Sequence, residues 1–453
     1  MKAARVLAYG IIVVSYFVLL HLLFPLEWAS PVKNAIDTYF TNPLTYWWFI
    51  FPLIGLLFLL GLDIFYGIYF LSSFGRGYRT KEPYYPNISI MIPSKNEKVL
   101  LKKTLESILN SKYPKDHIQL ILITSESTDG TTEYSKEFAS KYDNIMDITT
   151  ISEVASKQGK PPKLNLGLKQ VKHEIVVLYD CGCILQQDTL THLISPFQKE
   201  KVNAVIGPVL VENWKTNILT RGIFLDYAMI SGGGITFEVK NRLGSSAYSY
   251  GRNFAVSTKY LREYGGFNED SMTEDLYLSV LLNLDGVRIR YSPKAKIYEY
   301  VPSTWKILVK QRTRWLAGFI YDMPELMQMK KGKKSGKPII ISRNMTMMLI
   351  GNLDTWISIV MAFSLLFGLI GEYYLLGWSL SCLIFQFGYI INAIWKYCDK
   401  HFSLLLFWPI SGYIHLFMFL RQFKLPEEMS WEQTPMIFEK QEEEIMAITE
   451  KIQ

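Results

Sequence analysis

Cysteine and histidine are scarce in this sequence, which has four cysteines and six histidines in 453 residues. Four cysteines do not form the disulfide framework that stabilises small secreted domains. Cys181 and Cys183 are separated by one glycine and could suggest a soft-metal site, but no other cysteine lies near them in the sequence. We therefore interpret them as two small buried residues. No histidines have the spacing of zinc ligands or of a catalytic triad, so the sequence predicts neither kind of site.

Neither sign of charge dominates the composition, because the formal net charge is only +7. In a membrane protein such an excess most simply reflects lysine and arginine retained on the cytoplasmic side, and it does not indicate nucleic-acid binding. Hydrophobic residues make up 49% and aromatic residues 14% of the chain, and the mean hydropathy is +0.11. These values are high for a soluble enzyme, whereas 20% charged residues is too many for a chain that lies wholly in a membrane. The composition therefore predicts membrane spans together with one soluble domain.

Two long apolar runs near the N-terminus are the first candidate membrane spans. Residues 4–25 form a run of about 22 residues, which is long enough to cross a bilayer at about 1.5 Å per residue. A secretory signal peptide is disfavoured, because no cleavage site of small residues follows and a second apolar run covers residues 46–74. Lys2 and Arg5 precede the first run, and the basic segment 76–81 follows the second. This distribution predicts that both ends of the pair, and hence the domain that follows, are cytoplasmic.

From about residue 86 the pattern changes to alternating strands and helices. Strands are predicted at 87–93, 118–123 and 174–179, and helices at 98–109 and 132–142. Such alternation favours a parallel sheet, which binds ligands beyond the carboxyl ends of its strands. The three strand ends carry polar or acidic side chains, namely Glu97, the segment 124–129 and Asp180.

Two clusters of polar residues lie about forty residues apart in the second half of this region. Thr273-Glu274-Asp275 opens an amphipathic helix. Because backbone N–H groups at a helix N-terminus stabilise negative charge, we expect Asp275 to be ionised and able to accept a proton. The second cluster, Gln311-Arg312-Thr313-Arg314-Trp315, places an amide, two guanidinium groups and an indole on about one helical turn. Guanidinium groups suit phosphate oxygens, and an indole offers a flat face to a sugar ring.

A TED triplet followed by a QxxRW segment at this spacing resembles the membrane-embedded family 2 glycosyltransferases, which include hyaluronan, chitin and cellulose synthases and ceramide glucosyltransferases. The order of strands is similar to the nucleotide-sugar half of the glycosyltransferase A (GT-A) fold. Residues 157–165 resemble the GKxxALN segment of the family, and residues 249–254 and 265–267 resemble its acceptor side, although simple turns would explain their glycines equally well. The resemblance covers about residues 86–320. It implies an α/β GT-A domain with a mostly parallel sheet, embedded between N- and C-terminal transmembrane helices.

The resemblance also implies a reaction, the transfer of a sugar from a nucleotide-diphosphate sugar to a hydroxyl group with inversion at the anomeric carbon. It implies that Asp275 is the catalytic base, supported by Glu274. It implies further that Asp180 binds Mg²⁺ or Mn²⁺, ions that prefer carboxylate and phosphate oxygens. The remaining expected site residues are Arg314 and Arg312 with the diphosphate, Trp315 and Gln311 with the acceptor, Lys160, Lys163, Glu97 and Glu126 on the nucleotide side, Asn165, which is similar in position to a residue that braces the loop, and Trp431 in a W-x-x-T element near the active site.

The sequence departs from the family pattern at two strand ends. The usual DxD after the third strand is Asp180-Cys181-Gly182 here, so the second acidic metal ligand is missing. The metal would then rest on Asp180, diphosphate oxygens and waters, which Mg²⁺ tolerates because it commonly keeps several waters. The usual base-reading aspartate after the second strand is replaced by Thr124 or Ser125, and Glu126 could substitute after a small register shift. We interpret Asp129 as a turn and helix-cap residue, and we expect weaker metal affinity and an altered base preference.

The expected layout has five parts: two transmembrane helices in 1–75, a cytoplasmic GT-A domain in 76–300, interfacial helices with QxxRW and a basic connector in 301–342, about three transmembrane segments in 343–422 and a tail in 423–453. The lysine-rich stretch 330–337 is expected to touch anionic headgroups. Three full late spans would place Trp431 on the outer side, away from a cytoplasmic active site. Either one late segment only dips into the bilayer, which we favour, or the resemblance of the tail is accidental.

Three functions remain open. A processive polysaccharide synthase, which extrudes its polymer through the spans, is favoured by the complete QxxRW and by apolar runs on both sides of the domain. A single-addition glycolipid synthase carries a similar QxxRW, so the motif does not separate the two. A non-catalytic protein that binds a nucleotide sugar is suggested by the missing second aspartate. The expected partners are a nucleotide-diphosphate sugar, with UDP as the first choice, a growing polysaccharide or lipid acceptor, and membrane lipids, with no nucleic acid.

Overall fold

The computed structural model describes residues 34, 37, 41, 67–74, 84–125, 127–155, 157–199, 201–328 and 387–421. They fall into two compact units, the first including 67–74 and 387–405 and the second including 84–328 and 406–421. Several sequence predictions lie outside the described residues: the apolar run 4–25, most of 46–74 and of 345–395, the lysine-rich stretch 330–337, Glu126 and the tail with Trp431.

The second unit contains ten strands and ten α-helices among its described residues. In chain order the strands are β1 Ile88–Pro93, β2 Ile118–Ile123, β3 Asp147–Ile151, β4 Ile175–Leu178, β5 Ile184–Leu185, β6 Ala204–Ile206, β7 Val209–Val211, β8 Phe254–Ser257, β9 Arg290–Tyr291 and β10 Ile297–Glu299. The helices are α1 Lys98–Leu109, α2 Thr131–Tyr142, α3 Lys160–Leu168, α4 Thr189–Ile194, α5 Ile218–Asp226, α6 Gly234–Arg242, α7 Thr258–Glu263, α8 Glu274–Leu284, α9 Trp305–Gln328 and α10 Trp408–Arg421. A π-helical turn, Tyr227–Ser231, follows α5 directly.

Parallel strands form the first half of the sheet, as the sequence predicts. β1 pairs in parallel with β2 and with β4, and β2 pairs in parallel with β3. Every residue of β1 and β2 is buried, as expected for the continuous apolar runs of a parallel sheet. β3 escaped sequence prediction because it is an edge strand with the composition Asp-Ile-Thr-Thr-Ile, of which only Ile151 is buried.

The other side of the sheet contains an antiparallel insertion. β8 lies antiparallel between β4 and β6, and β9 pairs in parallel with β6. The strand order is therefore β3-β2-β1-β4-β8-β6-β9, and a second sheet has the order β5-β10-β7. The main sheet is mostly parallel, which confirms the predicted α/β class and brings the ends of β1, β2 and β4 to one edge.

Helices α8 and α9 pack on one another beside this edge. Tyr277, Val280 and Leu284 of α8 form a buried cluster with Leu326 of α9. These α8 positions recur at intervals of three and four residues, which places them on one helix face. The helix begins at Glu274, as the sequence predicts.

The described part of the first unit includes two α-helical segments, residues 67–73 and 387–397. The Asn392 side chain donates a hydrogen bond to Ser73 Oγ at 2.6 Å, and Lys396 Nζ donates to the Ser73 carbonyl at 2.6 Å. Across the described residues of the whole chain, no helix combines the length and the apolarity that a membrane crossing demands.

Candidate active site

The loops that follow β1 and β2 are tied together by side chains, in an arrangement we call the loop clasp (Asn96, Ser127, Thr128 and Asp129). The Asn96 backbone N–H donates to Ser127 Oγ at 3.2 Å, and Asn96 Oδ1 accepts from the Thr128 N–H at 2.7 Å. Asp129 accepts backbone N–H bonds from Lys98 and Thr131, each at 3.0 Å. Burial opposes ionisation of Asp129, but these hydrogen bonds outweigh it and hold its pKa below the usual range. Asp129 thus lies in the turn, as predicted, but the helix-cap part of the prediction was wrong, because the N-cap of α2 is Gly130.

Two predicted nucleotide-side residues lie beside this clasp. Glu97 immediately precedes α1, and its backbone N–H donates to Thr131 Oγ1 at 3.0 Å. Lys163, on α3, is buried with 6% exposure and donates from Nζ to the Ser125 carbonyl at 3.2 Å. Through this hydrogen bond Lys163 supports the loop that follows β2. Thr124, the first residue of that loop, is fully buried.

The centre of the site is the Lys160 ammonium, which lies among carboxylates. Its Nζ is 2.6 Å from Asp180 Oδ1 and 3.3 Å from Glu274 Oε1, and it donates to the Gly251 carbonyl at 3.0 Å. The side chains of Lys160 and Glu274 are only 17% and 8% exposed. Burial alone would lower the pKa of Lys160, but Asp180 and Glu274 raise it above its ordinary value, so the ammonium stays charged. We call Lys160, Asp180, Glu274 and Asp275 the Lys160 cluster.

Asp275 completes this cluster and is its most perturbed acid. A Cβ added to Gly251 would lie 2.7 Å from Lys160 Nζ and 3.3 Å from Asp275 Oδ2, so the two groups face each other across that glycine. Burial and the neighbouring Glu274 raise the pKa of Asp275 to about 7, and Lys160 partly offsets them. The expectation that the helix N-terminus keeps Asp275 fully ionised was therefore wrong, because loss of hydration and a like charge outweigh the backbone dipoles. A carboxyl group that titrates near neutral pH is well suited to accept a proton.

Of the two arginines in QxxRW, only Arg314 belongs with these carboxylates. Burial lowers the pKa of Arg314, while the charges of Glu274, Asp275 and Asp180 act in the opposite direction. Its Nε is buried and has no hydrogen-bond partner among the described residues. The positive charge of Arg314 therefore interacts with the carboxylates of the Lys160 cluster.

Arg312 is directed elsewhere in the same unit. Its Nη2 donates to Asp226 Oδ2 at 2.9 Å, and both side chains are buried, with 6% and 0% exposure. Its Nη1 donates to Ser231 Oγ at 3.2 Å, and its guanidinium carbon lies 4.5 Å from the centre of the Trp315 ring. The Arg312 charge is thus neutralised by Asp226, and one face of Trp315 is covered by Arg312. Gln311 is also buried, with 1% exposure.

A second buried ion pair, which sequence reasoning did not find, lies close to the site. Arg252 donates to both carboxylate oxygens of Glu299, and Tyr227 donates to Glu299 Oε1 at 2.9 Å. Arg252 follows Gly251 directly, and its charge acts on Asp275 and on Asp180. An arginine inside an otherwise apolar and small-residue segment was the available signal, but its partner is distant in sequence and no pattern connects the two.

Asn165 links α3 to the loop that precedes the TED triplet. Its Nδ2 donates to the Phe267 carbonyl at 3.0 Å and to Glu269 Oε1 at 2.8 Å, and its Oδ1 accepts from the Phe267 N–H at 2.8 Å. These three bonds brace the loop, so Asn165 holds protein backbone in place.

The residues present fit a divalent cation only if the substrate supplies ligands. Among the described residues, no three His, Cys, Asp or Glu side chains are arranged to hold a metal ion. Asp180 is 34% exposed, but its Oδ1 is paired with Lys160 Nζ at 2.6 Å, so a metal ion would have to share this carboxylate with Lys160. Cys183 is buried and Cys181 is partly exposed, both thiols are free, and burial raises the pKa of each, which disfavours the thiolate that metals bind. One carboxylate with water and diphosphate oxygens suits Mg²⁺.

Comparisons with known proteins assign this domain. A sequence profile described as glycosyltransferase like family 2 matches residues 86–318, which is about half of the chain. A solved structure, the mannosyltransferase PcManGT from Pyrobaculum calidifontis in complex with GDP-Man and Mn²⁺, aligns over 82% of this chain and 97% of its own with a TM-score of 0.55 and 17% identity. At that identity the likeness shows the fold alone, which is GT-A-like. The class is that of the glycosyltransferase enzymes, and the chain belongs to glycosyltransferase like family 2.

Curated relatives match about half of the chain. The probable glycosyltransferase YdaM of Bacillus subtilis (strain 168) is 31% identical over 52% of this chain and 56% of its own. A beta-monoglucosyldiacylglycerol synthase of Nostoc sp. (strain PCC 7120 / SAG 25.82 / UTEX 2576) is 29% identical over 58% and 56%. A poly-beta-1,6-N-acetyl-D-glucosamine synthase of Staphylococcus epidermidis is 31% identical over 51% and 54%. The chain spans about half the length of each of these relatives. Their names cover both a glycolipid synthase and a polysaccharide synthase.

Proposed function

We propose that this enzyme transfers a sugar from a nucleotide-diphosphate sugar to a hydroxyl acceptor, with inversion at the anomeric carbon. The observation that carries the proposal is the position of Asp275, a carboxyl group with a pKa of about 7 at the carboxyl edge of the sheet, beside Lys160 and facing Arg314. The solved mannosyltransferase of the same fold holds GDP-Man and Mn²⁺, which supports a nucleotide sugar as the donor. Because the enzyme class follows from the family, the non-catalytic alternative is set aside.

Asp275 takes the proton in the proposed reaction. The acceptor hydroxyl gives its proton to a carboxylate oxygen of Asp275, and the acceptor oxygen forms a bond to the anomeric carbon. The bond between that carbon and the diphosphate oxygen breaks, and its electron pair leaves with the nucleoside diphosphate. Glu274 supports this step because its negative charge helps to raise the pKa of Asp275 towards the working pH.

Positive groups of the site hold the diphosphate and steady the acids. Arg314 suits two phosphate oxygens, since a guanidinium group donates in a fork. Lys160 keeps Glu274 and Asp180 in place and limits the rise in the pKa of Asp275. Asp180 would hold Mg²⁺ or Mn²⁺, which supplies positive charge for the leaving diphosphate when bound. Arg312 is left out of the diphosphate site because Asp226 pairs with it.

For the acceptor, we favour processive polysaccharide synthesis with translocation at the cytoplasmic face of a membrane. The support is the complete QxxRW together with the long apolar runs that precede and follow the domain in the sequence. A glycolipid synthase is the second candidate, because a glycolipid synthase and a polysaccharide synthase share similar levels of identity with this chain. Trp315 and Gln311 are proposed acceptor-side residues, Trp431 is a proposed substrate contact near the active site, and Glu97, Glu126 and Lys163 are proposed for the nucleotide side, with Asn165 bracing the loop that precedes the TED triplet.

The test uses the purified full-length chain in detergent or nanodiscs, with Mg²⁺ or Mn²⁺, membrane lipids and a panel of nucleotide sugars. Release of nucleoside diphosphate with one donor, together with a labelled product of high mass on a gel, is the expected result. A single labelled lipid on a thin-layer plate would replace the processive proposal with the glycolipid one. Absence of release with every donor and both cations would refute the proposed transfer.

A further inference from the structure

Helix α9 carries both Arg314 and Asp322. The charge of Arg314 interacts with the carboxylates of the Lys160 cluster, and Asp322 follows eight residues later, about 12 Å along the helix axis. Asp322 lies outside the QxxRW segment and is buried, with 9% exposure. A buried carboxylate is costly unless hydrogen bonds compensate for lost hydration, so its partners indicate its role.

The hydrogen-bond partners of Asp322 are the hydroxyl groups of Ser271 and Thr273, which lie just before Glu274 and Asp275 in the chain. Asp322 Oδ2 accepts from Ser271 Oγ at 2.6 Å and from Thr273 Oγ1 at 2.8 Å. Ser271 Oγ also accepts from the Thr273 N–H at 3.1 Å, which closes a small network. Thr273 is the residue immediately before Glu274 and Asp275, so Asp322 is connected to the start of α8 through a short stretch of backbone.

Thr273 is used in an unusual way for a residue at this position. It is the N-cap of α8, where a threonine hydroxyl normally accepts a hydrogen bond from a backbone N–H of its own helix. Thr273 makes no such cap bond and donates to Asp322 instead. A cap bond stabilises a typical helix, so at Thr273 the hydrogen bond to α9 replaces a local stabilising contact.

Close backbone contact reinforces this connection. A Cβ on Gly318 of α9 would lie 2.5 Å from Thr273 Cγ2 and 3.2 Å from Met272 Cβ, so only glycine lets the helix approach the loop this closely. About two turns beyond Gly318, Glu325 accepts from the Tyr277 hydroxyl of α8 at 2.6 Å. Helix α9 therefore contacts the segment before Glu274 at Gly318 and through Asp322, and it contacts α8 itself through Glu325.

Desolvation works against the Asp322 carboxylate. Burial raises the pKa of Asp322 above its ordinary value, and the hydrogen bonds from Ser271 and Thr273 only partly counteract this. No lysine or arginine forms an ion pair with Asp322 among the described residues. Burial thus disfavours the ionised form of Asp322, and its side-chain hydrogen bonds are with Ser271 and Thr273, in the segment that leads into Glu274.

We propose that Asp322 is a positioning residue that fixes Glu274 and Asp275 relative to Arg314 by holding Ser271 and Thr273. This inference rests on the proposed function, since it assigns Asp275 and Arg314 to the same reaction. Misplacement of a reacting group by about 1 Å can reduce the rate about a hundredfold. We call Asp322 with its hydrogen bonds to Ser271 and Thr273 the clamp. Because the clamp positions reacting groups, its loss should reduce turnover more than it weakens binding of the donor.

The first variant is Asp322→Ala, measured in the full-length chain by release of nucleoside diphosphate. We expect kcat to fall by about tenfold to a hundredfold, with the KM for the donor changed by less than about threefold. Asp322→Asn should recover most of the rate, because its amide oxygen can accept both hydroxyl hydrogen bonds. An unchanged kcat in Asp322→Ala, or a rate in Asp322→Asn as low as in Asp322→Ala, would overturn the proposal.

Tyr277→Phe is the matched control, since it removes the hydrogen bonds of the Tyr277 hydroxyl with Glu325 and Asn268 but leaves every hydrogen bond of Asp322 with Ser271 and Thr273 in place. It should leave kcat nearly unchanged even if it lowers the melting temperature. If both variants lose kcat in proportion to their loss of melting temperature, Asp322 has a merely structural role and the proposal fails.

Hydrogen exchange of the backbone amides in 271–276 separates this proposal from the proposed function. Faster exchange there in Asp322→Ala than in Tyr277→Phe supports the clamp even if wild-type chain releases no nucleotide with any donor. Equal exchange in the two variants refutes the clamp whatever the activity.

Discussion

Replacement of Lys160 by methionine should move the acid limb of the pH profile, where activity rises as the catalytic base becomes ionised. Lys160 is the nearest positive group of the cluster and favours the ionised form of Asp275, whose pKa is about 7. Without this charge the protonated form of Asp275 gains stability, so a higher pH is needed to ionise it. Since only ionised Asp275 accepts a proton, the rise of kcat/KM with pH should move upward.

The size of this movement follows from the distance between the two groups. Lys160 Nζ and Asp275 Oδ2 lie 2.7 Å and 3.3 Å from the same point next to Gly251, so they are roughly 6 Å apart at most. At that separation and an effective dielectric constant of about 20, the interaction is about 3 kcal/mol, or about two pKa units. Water that enters the vacated space screens part of it, so we expect the midpoint to move from about 7 to about 8 or 9.

The assay is nucleoside diphosphate release from pH 5.5 to about 9.5, at several Mg²⁺ concentrations because Lys160 also contacts Asp180. Lys157→Met is the matched control. Lys157 lies three residues earlier, is 53% exposed and pairs at 2.6 Å with the exposed Asp270. The control should keep the midpoint of wild type. A midpoint that stays at about 7 in Lys160→Met, or that moves to lower pH, would refute the electrostatic reasoning.

Three further outcomes follow from contacts in the same unit. Asp275→Asn keeps the shape of the side chain but cannot take the proton, so turnover should fall about 10²–10⁴-fold while donor binding, followed by calorimetry, changes little; retained turnover would show that another group is the base. Arg312→Ala removes the arginine that forms an ion pair with the buried Asp226 carboxylate, so denaturant unfolding should show a loss of stability of about 3–5 kcal/mol, whereas Arg314→Ala should reduce turnover with a smaller loss of stability. Gly251→Ala adds a methyl group 2.7 Å from Lys160 Nζ at a residue with φ of +78°, so activity should fall at least about tenfold, and an unchanged rate would mean that the methyl group is accommodated without moving Lys160.

The sequence predicted the first half of the domain closely because its signals are local. Helix α1 has the predicted bounds Lys98–Leu109, and β2 has the predicted bounds Ile118–Ile123. Apolar runs ended by polar residues are sufficient to place such elements and the strand ends that carry Asp180. The antiparallel entry of β8 between β4 and β6 was not predictable, because strand direction and neighbours depend on contacts distant in sequence.

The same distinction holds in the site. The TED and QxxRW segments identified Asp275 and Arg314, which the structure brings to one cluster. Their spacing could not reveal that Arg312 turns to Asp226, since this depends on an acid placed 86 residues earlier in an apolar helix. It also could not give the pKa of Asp275, because burial and the charge of Glu274 arise only when the fold is assembled.

Helix α3 has a consequence for how sequences of this kind diverge. Three of its nine residues each reach a different loop: Lys160 contacts Asp180 and Gly251, Lys163 contacts Ser125, and Asn165 contacts Phe267. A substitution at any of these three residues therefore removes a contact with a loop elsewhere in the domain. A substitution within one loop changes mainly the contacts of that loop. Selection should tolerate fewer changes in this short helix than in the loops it joins. Across aligned relatives, we expect these three positions to vary least and the loop residues around them to drift more freely.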